Sequence, residues 1–260
     1  MGHSFGKDFN KLWINKGNGL AGILPTDQLG IRPGAVGCWD SSGQFVVRAA
    51  LDTTWGIELP PIQTLTNELS NFDFSSTVKD THHYVADGKG KLTEVETLPT
   101  TGDVSAKIEY EYEDDNSFSV VCDDVSAQGW SDLSFLERAW NEVLYKNQNS
   151  WFSNDISLYF DAWNYRIVYE VFTATDYLMT GAPSNSSKFS LTGTAEELSA
   201  LEGGHITGSV DVTSSNTDDV KETGFQGQET LVAMNLGAFE TWSVKGQKNH
   251  RFMPGMNAIT

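Results

Sequence analysis

Cysteine, basic residues and long hydrophobic runs are all scarce in this sequence of 260 residues. Cys38 and Cys122 are too few for a disulfide framework, and the N-terminus lacks the apolar core of a secretory signal. No run of about eighteen apolar residues occurs, so no transmembrane helix is expected. Lys and Arg number 17 against 35 Asp and Glu, and the net charge of -18 argues against a nucleic-acid partner. These absences favour a cytosolic protein with reduced thiols.

Signatures of catalysis and of metal or cofactor binding are also missing. The sequence contains no CxxC, HExxH, Walker or GxSxG motif, and "GKGK" at Gly88–Lys91 is typical of a turn. His82 and His83 are adjacent, so on a strand they point to opposite faces and cannot easily share one metal ion. We therefore predict no enzyme activity, no metal site and no cofactor. For the two cysteines, buried inert thiols are the preferred interpretation, with redox sensitivity as the alternative.

The N-terminal stretch "SFGKDFNKLWINK" predicts a short amphipathic helix that ends at "GNG". Its apolar stripe is formed by Phe5, Phe9, Leu12 and Trp13. Lysines lie beside this stripe at Lys7, Lys11 and Lys16. One interpretation is a terminal helix whose stripe packs on the core. The other is a helix that lies in an anionic membrane interface, because cationic flanks and a face of Trp, Phe and Leu suit that position.

A strict alternation of apolar and polar residues predicts a β-hairpin over Asp103–Cys122. The apolar positions of its first strand are Val104, Ala106, Ile108, Tyr110 and Tyr112. "EDDN" forms the predicted turn, and the apolar face continues after it with Phe118, Val120 and Cys122. The intervening Glu109, Glu111 and Glu113 are expected to form a solvated acidic face rather than a pair of catalytic carboxylates.

The stretch Asn164–Gly181, "NYRIVYEVFTATDYLMTG", is rich in β-branched and aromatic residues and has no proline or glycine before its end. We therefore predict one long strand there. A short helix is expected after it, with Thr194 as N-cap and Glu197 as its capping-box partner. An alternating strand follows, whose apolar face is formed by Ile206, Val210 and Val212. A further strand is predicted at "TLVAMNL", Thr230–Leu236.

A longer helix is predicted around Trp140. Ser131 or Ser134 caps it, and Glu137 completes a capping box with Ser134. Its wide apolar face is expected to pack on a sheet, and it consists of Phe135, Leu136, Ala139, Trp140, Val143 and Leu144. Helices and antiparallel hairpins alternate along the chain, without a repeat or a linker that would divide it. Residues 1–260 are therefore predicted to form a single α+β domain.

The order of these elements resembles the pore-forming N-terminal domain of gasdermins across nearly the whole chain. The resemblance begins with "MGHSFGKDFNKLW" and with "GILPTDQL", which is similar to the family's "PV-x-SL" stretch. "CWDSSG" at Cys38–Gly43 stands where the family has an aromatic-tipped loop that touches lipid. "YRIVYEVFTATDYLM" with "KFSL" is similar to the family's "VYVVTEVLQT…FSL" strand pair. "GGHITGSVDVT" and "TLVAMNL" resemble its closing strands.

This resemblance implies a twisted antiparallel sheet with an N-terminal amphipathic helix and packed helices, which refolds into a transmembrane β-barrel on assembly. It implies a pore-forming effector of pyroptosis-like cell death that binds acidic lipids, oligomerises and permeabilises the plasma membrane from the cytoplasm. The implied lipid-binding residues are Phe5, Lys7, Phe9, Lys11, Leu12, Trp13, Lys16 and Trp39, with Lys245, Lys248 and Arg251 as further candidates. Two membrane hairpins are implied, over about Thr81–Cys122 and Asn164–Val212. Their membrane-facing positions are Val104, Ala106, Ile108, Tyr110, Tyr112, Phe118, Val120, Ile167, Tyr169 and Val171.

Gasdermins of animals usually carry a C-terminal repressor domain, and none is expected here. The chain therefore resembles above all the short fungal regulator-of-cell-death proteins, which act in allorecognition, or heterokaryon incompatibility, through pairing of two variants. We expect control by an allelic partner, because identical subunits with a charge of -18 repel one another. An intersubunit disulfide of Cys38 or Cys122 is the alternative. The competing functional class is a soluble β-rich module that binds a carbohydrate or a protein without forming pores.

Overall fold

The computed structural model describes residues 20–22, 30–40, 45–65, 72–75, 78–112, 117–146, 165–182, 187–208, 210–215, 220–224, 229–244 and 247–255. Within these residues the chain forms seventeen strands and two helices, and most of the fold is antiparallel sheet. The strands are β1 (Leu20–Gly22), β2 (Ala35–Trp39), β3 (Phe45–Ala50), β4 (Gln63–Leu65), β5 (Phe72–Ser75), β6 (Val78–Ala86), β7 (Leu92–Val95), β8 (Ser105–Tyr112), β9 (Ser117–Asp123), β10 (Ser126–Gly129), β11 (Arg166–Ala174), β12 (Asp176–Ala182), β13 (Lys188–Thr194), β14 (Asp211–Ser214), β15 (Val220–Gly224), β16 (Thr230–Val244) and β17 (Gln247–Pro254). The helices are α1 (Ser134–Lys146) and α2 (Ala195–Glu202).

The chain divides into two compact units. The first unit consists of Met1–Asn67, Ser126–Phe172 and Leu231–Thr260. The second unit consists of Glu68–Val125 and Thr173–Thr230. Each unit has its own sheets and its own apolar clusters. The single domain over residues 1–260 stays a prediction.

The first unit is built on an eight-stranded sheet. Its main path runs in the order β1, β16, β11, β10 and β4, with β17 paired to β16 and the β2–β3 hairpin joined to β11. Helix α1 buries an apolar face in the cluster of this unit, and the ring of Trp140 stacks on Phe239 with centroids 4.9 Å apart. The buried residues of that face are Phe135, Leu136, Ala139 and Trp140, as predicted. The side chains of Val143 and Leu144 lie outside the described part of the chain.

The start of α1 differs from the prediction. Asp132, and not a serine hydroxyl, accepts a hydrogen bond from the first helical amide, with 2.8 Å between its Oδ1 and the nitrogen of Ser134. That bond from the Ser134 amide lowers the pKa of Asp132 below its ordinary value. Glu137 does not complete a capping box with Ser134, because its Oε1 accepts the backbone amide of Phe252 in β17 at 3.1 Å. A helix N-terminus needs an acceptor for its free amides, and a carboxylate two residues upstream supplies it here.

The second unit contains two sheets. One has five strands in the order β14, β13, β8, β6 and β7, and the other has four strands in the order β15, β12, β9 and β5. One apolar cluster collects side chains from both sheets and from α2, including Ile108 of β8, Leu178 of β12, Phe189 of β13 and Leu198 of α2. The two sheets therefore share a core. Burial of this cluster is the main apolar stabilisation of the unit.

Helix α2 begins as the sequence predicts. The Thr194 hydroxyl accepts the amide of Glu197 at 3.2 Å, and the Glu197 carboxylate accepts the amide of Thr194 at 2.8 Å. This reciprocal capping box satisfies two amides that have no partner inside the helix. It also fixes where β13 ends and the helix begins.

The hairpin predicted over Asp103–Cys122 is wrong. Strand β8 lies between β6 and β13 in the five-stranded sheet, whereas β9 lies between β5 and β12 in the four-stranded sheet. The alternation correctly predicts the apolar face of β8, whereas β9 is buried on both faces and places Val121, not Val120 or Cys122, in the cluster that contains Ile108. The alternation does not predict which strand lies alongside, and here both strands bury an apolar face while pairing with strands distant in sequence.

The long strand predicted over Asn164–Gly181 is also wrong. Strand β11 ends at Ala174, Thr175 forms a bend, and β12 begins at Asp176 in a different sheet. Strand β12 pairs with β9 and β15, not with β13. The membrane hairpin implied over Asn164–Val212 belongs to the assembled state and stays a prediction. β-Propensity is high on both sides of the bend, which is compatible with one long strand or with two strands in different sheets. The sequence therefore does not indicate where one strand ends and the next begins.

The last two predicted strands have shifted boundaries. Among the described residues of the predicted alternating segment, only Asp211–Ser214 forms a strand. Ile206 and Val210 are buried as predicted, but they lie in a loop, where the amide of Ile206 donates to Asp123 Oδ2 at 3.1 Å. The strand predicted at "TLVAMNL" is confirmed, and β16 continues beyond it to Val244.

Candidate membrane-active segments

The lipid-contact residues predicted in the N-terminal helix lie outside the described residues. They are Phe5, Lys7, Phe9, Lys11, Leu12, Trp13 and Lys16, and Lys245 and the side chain of Lys248 lie outside them as well. Trp39 is described as the last residue of β2. Its half-buried ring contacts Phe45 edge-on at 5.3 Å, and its indole nitrogen has no hydrogen-bond partner among the described residues. The lipid contact of Trp39 stays a prediction.

Strand β8 has the two faces that its alternation predicts. Ala106, Ile108, Tyr110 and Tyr112 are buried, with at most 7% of each residue exposed. Lys107, Glu109 and Glu111 occupy the opposite face of the strand. Val104 precedes the strand in the same alternation and is 43% exposed.

Two stretches of the second unit, segment 105–123 and segment 176–194, pair with each other through their strands. The first contains β8 and β9, and the second contains β12 and β13. Strand β8 pairs with β13 from Glu111 opposite Lys188 to Ser105 opposite Thr194. Strand β9 pairs with β12 from Asp123 opposite Asp176 to Ser117 opposite Ala182. Each segment therefore places one strand in each sheet, and both of its strands lie beside strands of the other segment.

The polar face of β8 is a row of ion pairs, which we name the charged ladder: Lys79, Lys107, Lys188, Glu109 and Glu111. Lys188 Nζ lies 3.0 Å from one oxygen of Glu111, and Lys79 Nζ lies 3.0 Å from the other. Lys107 Nζ lies 2.8 Å from Glu109. Hydrogen bonds from Lys188 and Lys79 lower the pKa of Glu111, and the bond from Lys107 lowers that of Glu109. Glu109 and Glu111 of the predicted acidic face are thus paired with lysines from β6, β8 and β13, and Glu113 lies outside the described residues.

The apolar face of β8 carries a buried group that we name the hydroxyl network: Tyr110, Tyr112 and Thr180. The Thr180 hydroxyl lies 2.8 Å from the Tyr110 hydroxyl and 3.1 Å from that of Tyr112. The Tyr110 ring stacks on Phe189 with centroids 5.7 Å apart. Burial raises the pKa of Tyr110, so its hydroxyl stays protonated and can donate.

Strand β9 is buried on both faces. Phe118, Val120 and Cys122 lie on one face, at 3%, 0% and 0% exposure, and Val121 on the other belongs to the cluster of the second unit. Burial raises the pKa of the Cys122 thiol, which keeps it neutral and unreactive. The predicted buried thiol is confirmed for Cys122. Cys38 is a half-buried free thiol on β2.

The membrane-facing residues implied for the long strand lie on β11 in the first unit. Ile167 and Tyr169 pack in the cluster that contains Trp140, whereas Val171 belongs to a second cluster with Val168. Ile167 and Tyr169 thus pack in one cluster and Val171 in another, and all three belong to a different sheet from those of β8 and β9.

The adjacent histidines contact two different carboxylates. His82 Nδ1 lies 2.8 Å from Glu94 of β7, and His83 Nε2 lies 2.7 Å from Glu202 of α2. In the part of the chain that the structure describes, no three His, Cys, Asp or Glu residues are grouped as a metal site requires. Neither described helix has the length and apolarity to cross a membrane.

Sequence reasoning missed the partners that β8 finds on other strands, which are Lys79 on β6, Thr180 on β12, and Lys188 and Phe189 on β13. Each is unremarkable in its own stretch, and Thr180 is one of several threonines in a β-rich run. Its partners on β8 are 68 and 70 positions away in the sequence. The alternation of β8 predicts a neighbour with an apolar face, but no local signal names it.

Comparisons with known proteins give a likeness of structure and none of sequence. No protein-family model matches the chain, and no curated protein matches it. Among solved structures, the cryo-EM structure of the gasdermin A3 membrane pore is similar to this chain, over 95% of this chain and 94% of that one. The identity is 12% and the TM-score is 0.37. The gasdermin family and its fungal branch therefore stay proposals for this protein.

Proposed function

We propose that this protein is a gasdermin-like pore former that binds acidic lipids, oligomerises and inserts β-hairpins to permeabilise the plasma membrane. The observation that carries the proposal is the mutual pairing of segments 105–123 and 176–194. Each segment holds two consecutive strands that pair with the other segment instead of with each other. If the segments separate, each can fold back on itself as a hairpin of the kind that crosses membranes.

The composition of β8 suits a strand of a membrane barrel. It is 8 residues long, and Val104 extends its alternation, which approaches the roughly 9–11 residues that a tilted transmembrane strand needs. Its apolar face would meet lipid, and Lys107, Glu109 and Glu111 would face the aqueous lumen. Closing such hairpins from many subunits into a barrel satisfies every backbone hydrogen bond. Because β11 belongs to the other unit, we narrow the second hairpin to residues 176–194.

A reversible cross-link between β8 and β13 tests this proposal. Glu109 and Ser190 are directly opposite each other, so a pair of cysteines there has the spacing that a disulfide needs. In a Cys38→Ser background, oxidised Glu109→Cys/Ser190→Cys should bind phosphatidylserine vesicles without releasing dye, and reduction should restore release. Ala86→Cys/Leu92→Cys cross-links the local β6–β7 hairpin and is the matched control, expected to release dye in both redox states.

Full dye release from the oxidised Glu109–Ser190 pair would show that segment 105–123 does not have to leave β13. An acidic substitution at Ile108 is a poorer test, because that side chain is 3% exposed and a buried carboxylate would destabilise the soluble fold. The cross-link leaves the core intact and avoids this difficulty.

For lipid contact, we propose the N-terminal helix with its lysines, and Trp39 as a second anchor. Each basic residue near an anionic surface contributes about 1 kcal/mol, so a few contacts per subunit become strong when an oligomer multiplies them. Lys7→Glu/Lys11→Glu should lose binding to phosphatidylserine vesicles and keep the unfolding curve of the wild type. Undiminished binding by this variant would remove the helix from the mechanism.

The proposed trigger is an allelic variant of the same protein. Subunits that each carry a charge of -18 repel when placed side by side, and a partner of different charge would relieve that repulsion. Cell death on co-expression of two variants, and none with either alone, is the expected result. Death caused by this chain alone would contradict control by a partner.

One observation favours the alternative, a binding module without pore activity. A cavity of about 390 Å³ lies in the first unit beside α1, a size that suits a small ligand. Its walls are formed by Ile57, Glu58, Leu59, Pro60, Pro61, Phe135, Arg138, Ala139 and Glu142. Saturable binding of a sugar or peptide, lost in Phe135→Ala, together with no dye release from any vesicle, would support this function over the first.

A further inference from the structure

The hydroxyl network connects two strands that are not neighbours. Tyr110 and Tyr112 lie on β8 in the five-stranded sheet, and Thr180 lies on β12 in the four-stranded sheet. Thr180 is 2% exposed and its hydroxyl is within hydrogen-bond distance of both tyrosine hydroxyls. The network therefore ties segment 105–123 to segment 176–194 across the core, in addition to the two strand pairings.

The hydrogen bonds of the network lie in apolar surroundings, where losing one is costly. The ring of Phe189 lies 5.7 Å from that of Tyr110 and 5.8 Å from that of Tyr112, and the rings of the two tyrosines are 5.5 Å apart. Leu178 and Val121 belong to the same buried cluster. A hydroxyl in such apolar surroundings is costly to leave unpaired, and a network in which the hydroxyls satisfy one another fixes a single arrangement.

We propose that the hydroxyl network is a latch that holds both segments in the soluble arrangement and sets how fast they are released. This inference rests on the proposed function, because release matters only if the segments form membrane hairpins. When β8 leaves β13 and β9 leaves β12, Thr180 must part from both tyrosines. The latch therefore opposes separation of the segments, while leaving each free to pair with itself afterwards.

The test compares Thr180→Val, which has nearly the same shape but no hydroxyl, with Thr180→Ser, which keeps the hydroxyl. Without membranes, hydrogen exchange of the amides of β8 and β12 should accelerate roughly five- to thirtyfold in Thr180→Val, the factor expected for one or two buried hydrogen bonds. Thr180→Ser should exchange more slowly than Thr180→Val. On phosphatidylserine vesicles, Thr180→Val should release dye faster than the wild type at equal bound protein, and Tyr110→Phe and Tyr112→Phe should lie between them.

The two readouts separate the latch from the pore. Equal exchange of β8 and β12 in the valine and serine variants would overturn the latch, whether or not the wild type releases dye. A second result would also contradict the proposal. If exchange is faster in Thr180→Val but its dye release is no faster than that of Thr180→Ser, the latch does not control how fast the segments are released. If exchange is faster in Thr180→Val but neither the wild type nor the variant releases dye, on any vesicle and with any partner, the proposed pore function is rejected. The network would then only stabilise the contact between the two segments.

Discussion

Phe189 offers a direct measure of how strongly the second unit is held together. Its ring is fully buried, stacked on Tyr110 and edge-on to Tyr112. Phe189→Leu keeps much of the volume but loses two aromatic contacts of about 0.5–1.5 kcal/mol each, so the free energy of unfolding of this unit should fall by about 1–3 kcal/mol. Phe189→Ala also leaves a cavity, and the loss should reach about 3–5 kcal/mol.

Urea unfolding of the two units can be followed separately. All eight tryptophans fall within the ranges of the first unit, so their fluorescence reports on that unit, and hydrogen exchange of β8 and β13 amides reports on the second. Phe239→Leu is the matched control, because Phe239 stacks on Trp140 in the first unit. It should shift the fluorescence transition. A loss below about 0.5 kcal/mol in Phe189→Ala, the range of ordinary surface substitutions, would refute the close packing of this ring.

Three further predictions follow from single groups. Cys122 should resist alkylation by iodoacetamide in the native protein while Cys38 reacts, since burial raises the pKa of Cys122; mass spectrometry of the labelled peptides measures both. Lys188 holds the pKa of Glu111 below its ordinary value. The stability that this carboxylate contributes is therefore present above about pH 4.3 and is lost as the pH falls through the lowered pKa of the folded state. In Glu111→Gln, the urea concentration at the midpoint of unfolding should decrease less on acidification below that pH than it does in the wild type. Asp132→Ala should destabilise α1 through loss of its N-terminal acceptor and shift the fluorescence transition to lower urea; an unchanged transition would contradict that role.

The features that the sequence predicted correctly are those fixed by neighbours along the chain. The buried face of β8 follows from a period of two, which any sheet with one dry face imposes. The capping box of Thr194 and Glu197 depends on residues three apart. Burial of Cys122 follows from its place among Phe118 and Val120 in the same alternation. None of these inferences needs to know which strand lies alongside.

The features that were wrong depend on contacts between distant parts of the chain. "EDDN" suggests a hairpin turn, yet β8 pairs with β13, whose Phe189 stacks on Tyr110 and whose Lys188 pairs with Glu111. The unbroken β-propensity around Thr175 gave no sign that two sheets divide it. At α1, Ser134 is a good capping residue, but Asp132 supplies the charged acceptor and Phe252 engages Glu137.

The same alternation serves both the soluble arrangement and the one we propose in the membrane. In both, the face of β8 with Ile108 and Tyr110 stays away from water, next to the core in one and to lipid in the other. Apolar burial therefore cancels in large part between the two arrangements, since lipid tails are as apolar as a protein interior. What remains is the difference in strand partners and in polar contacts, chiefly the partly exposed charged ladder and the buried hydroxyl of Thr180. On this reasoning, control of the transition resides in a few polar side chains, and a single hydroxyl can change its rate without changing either fold.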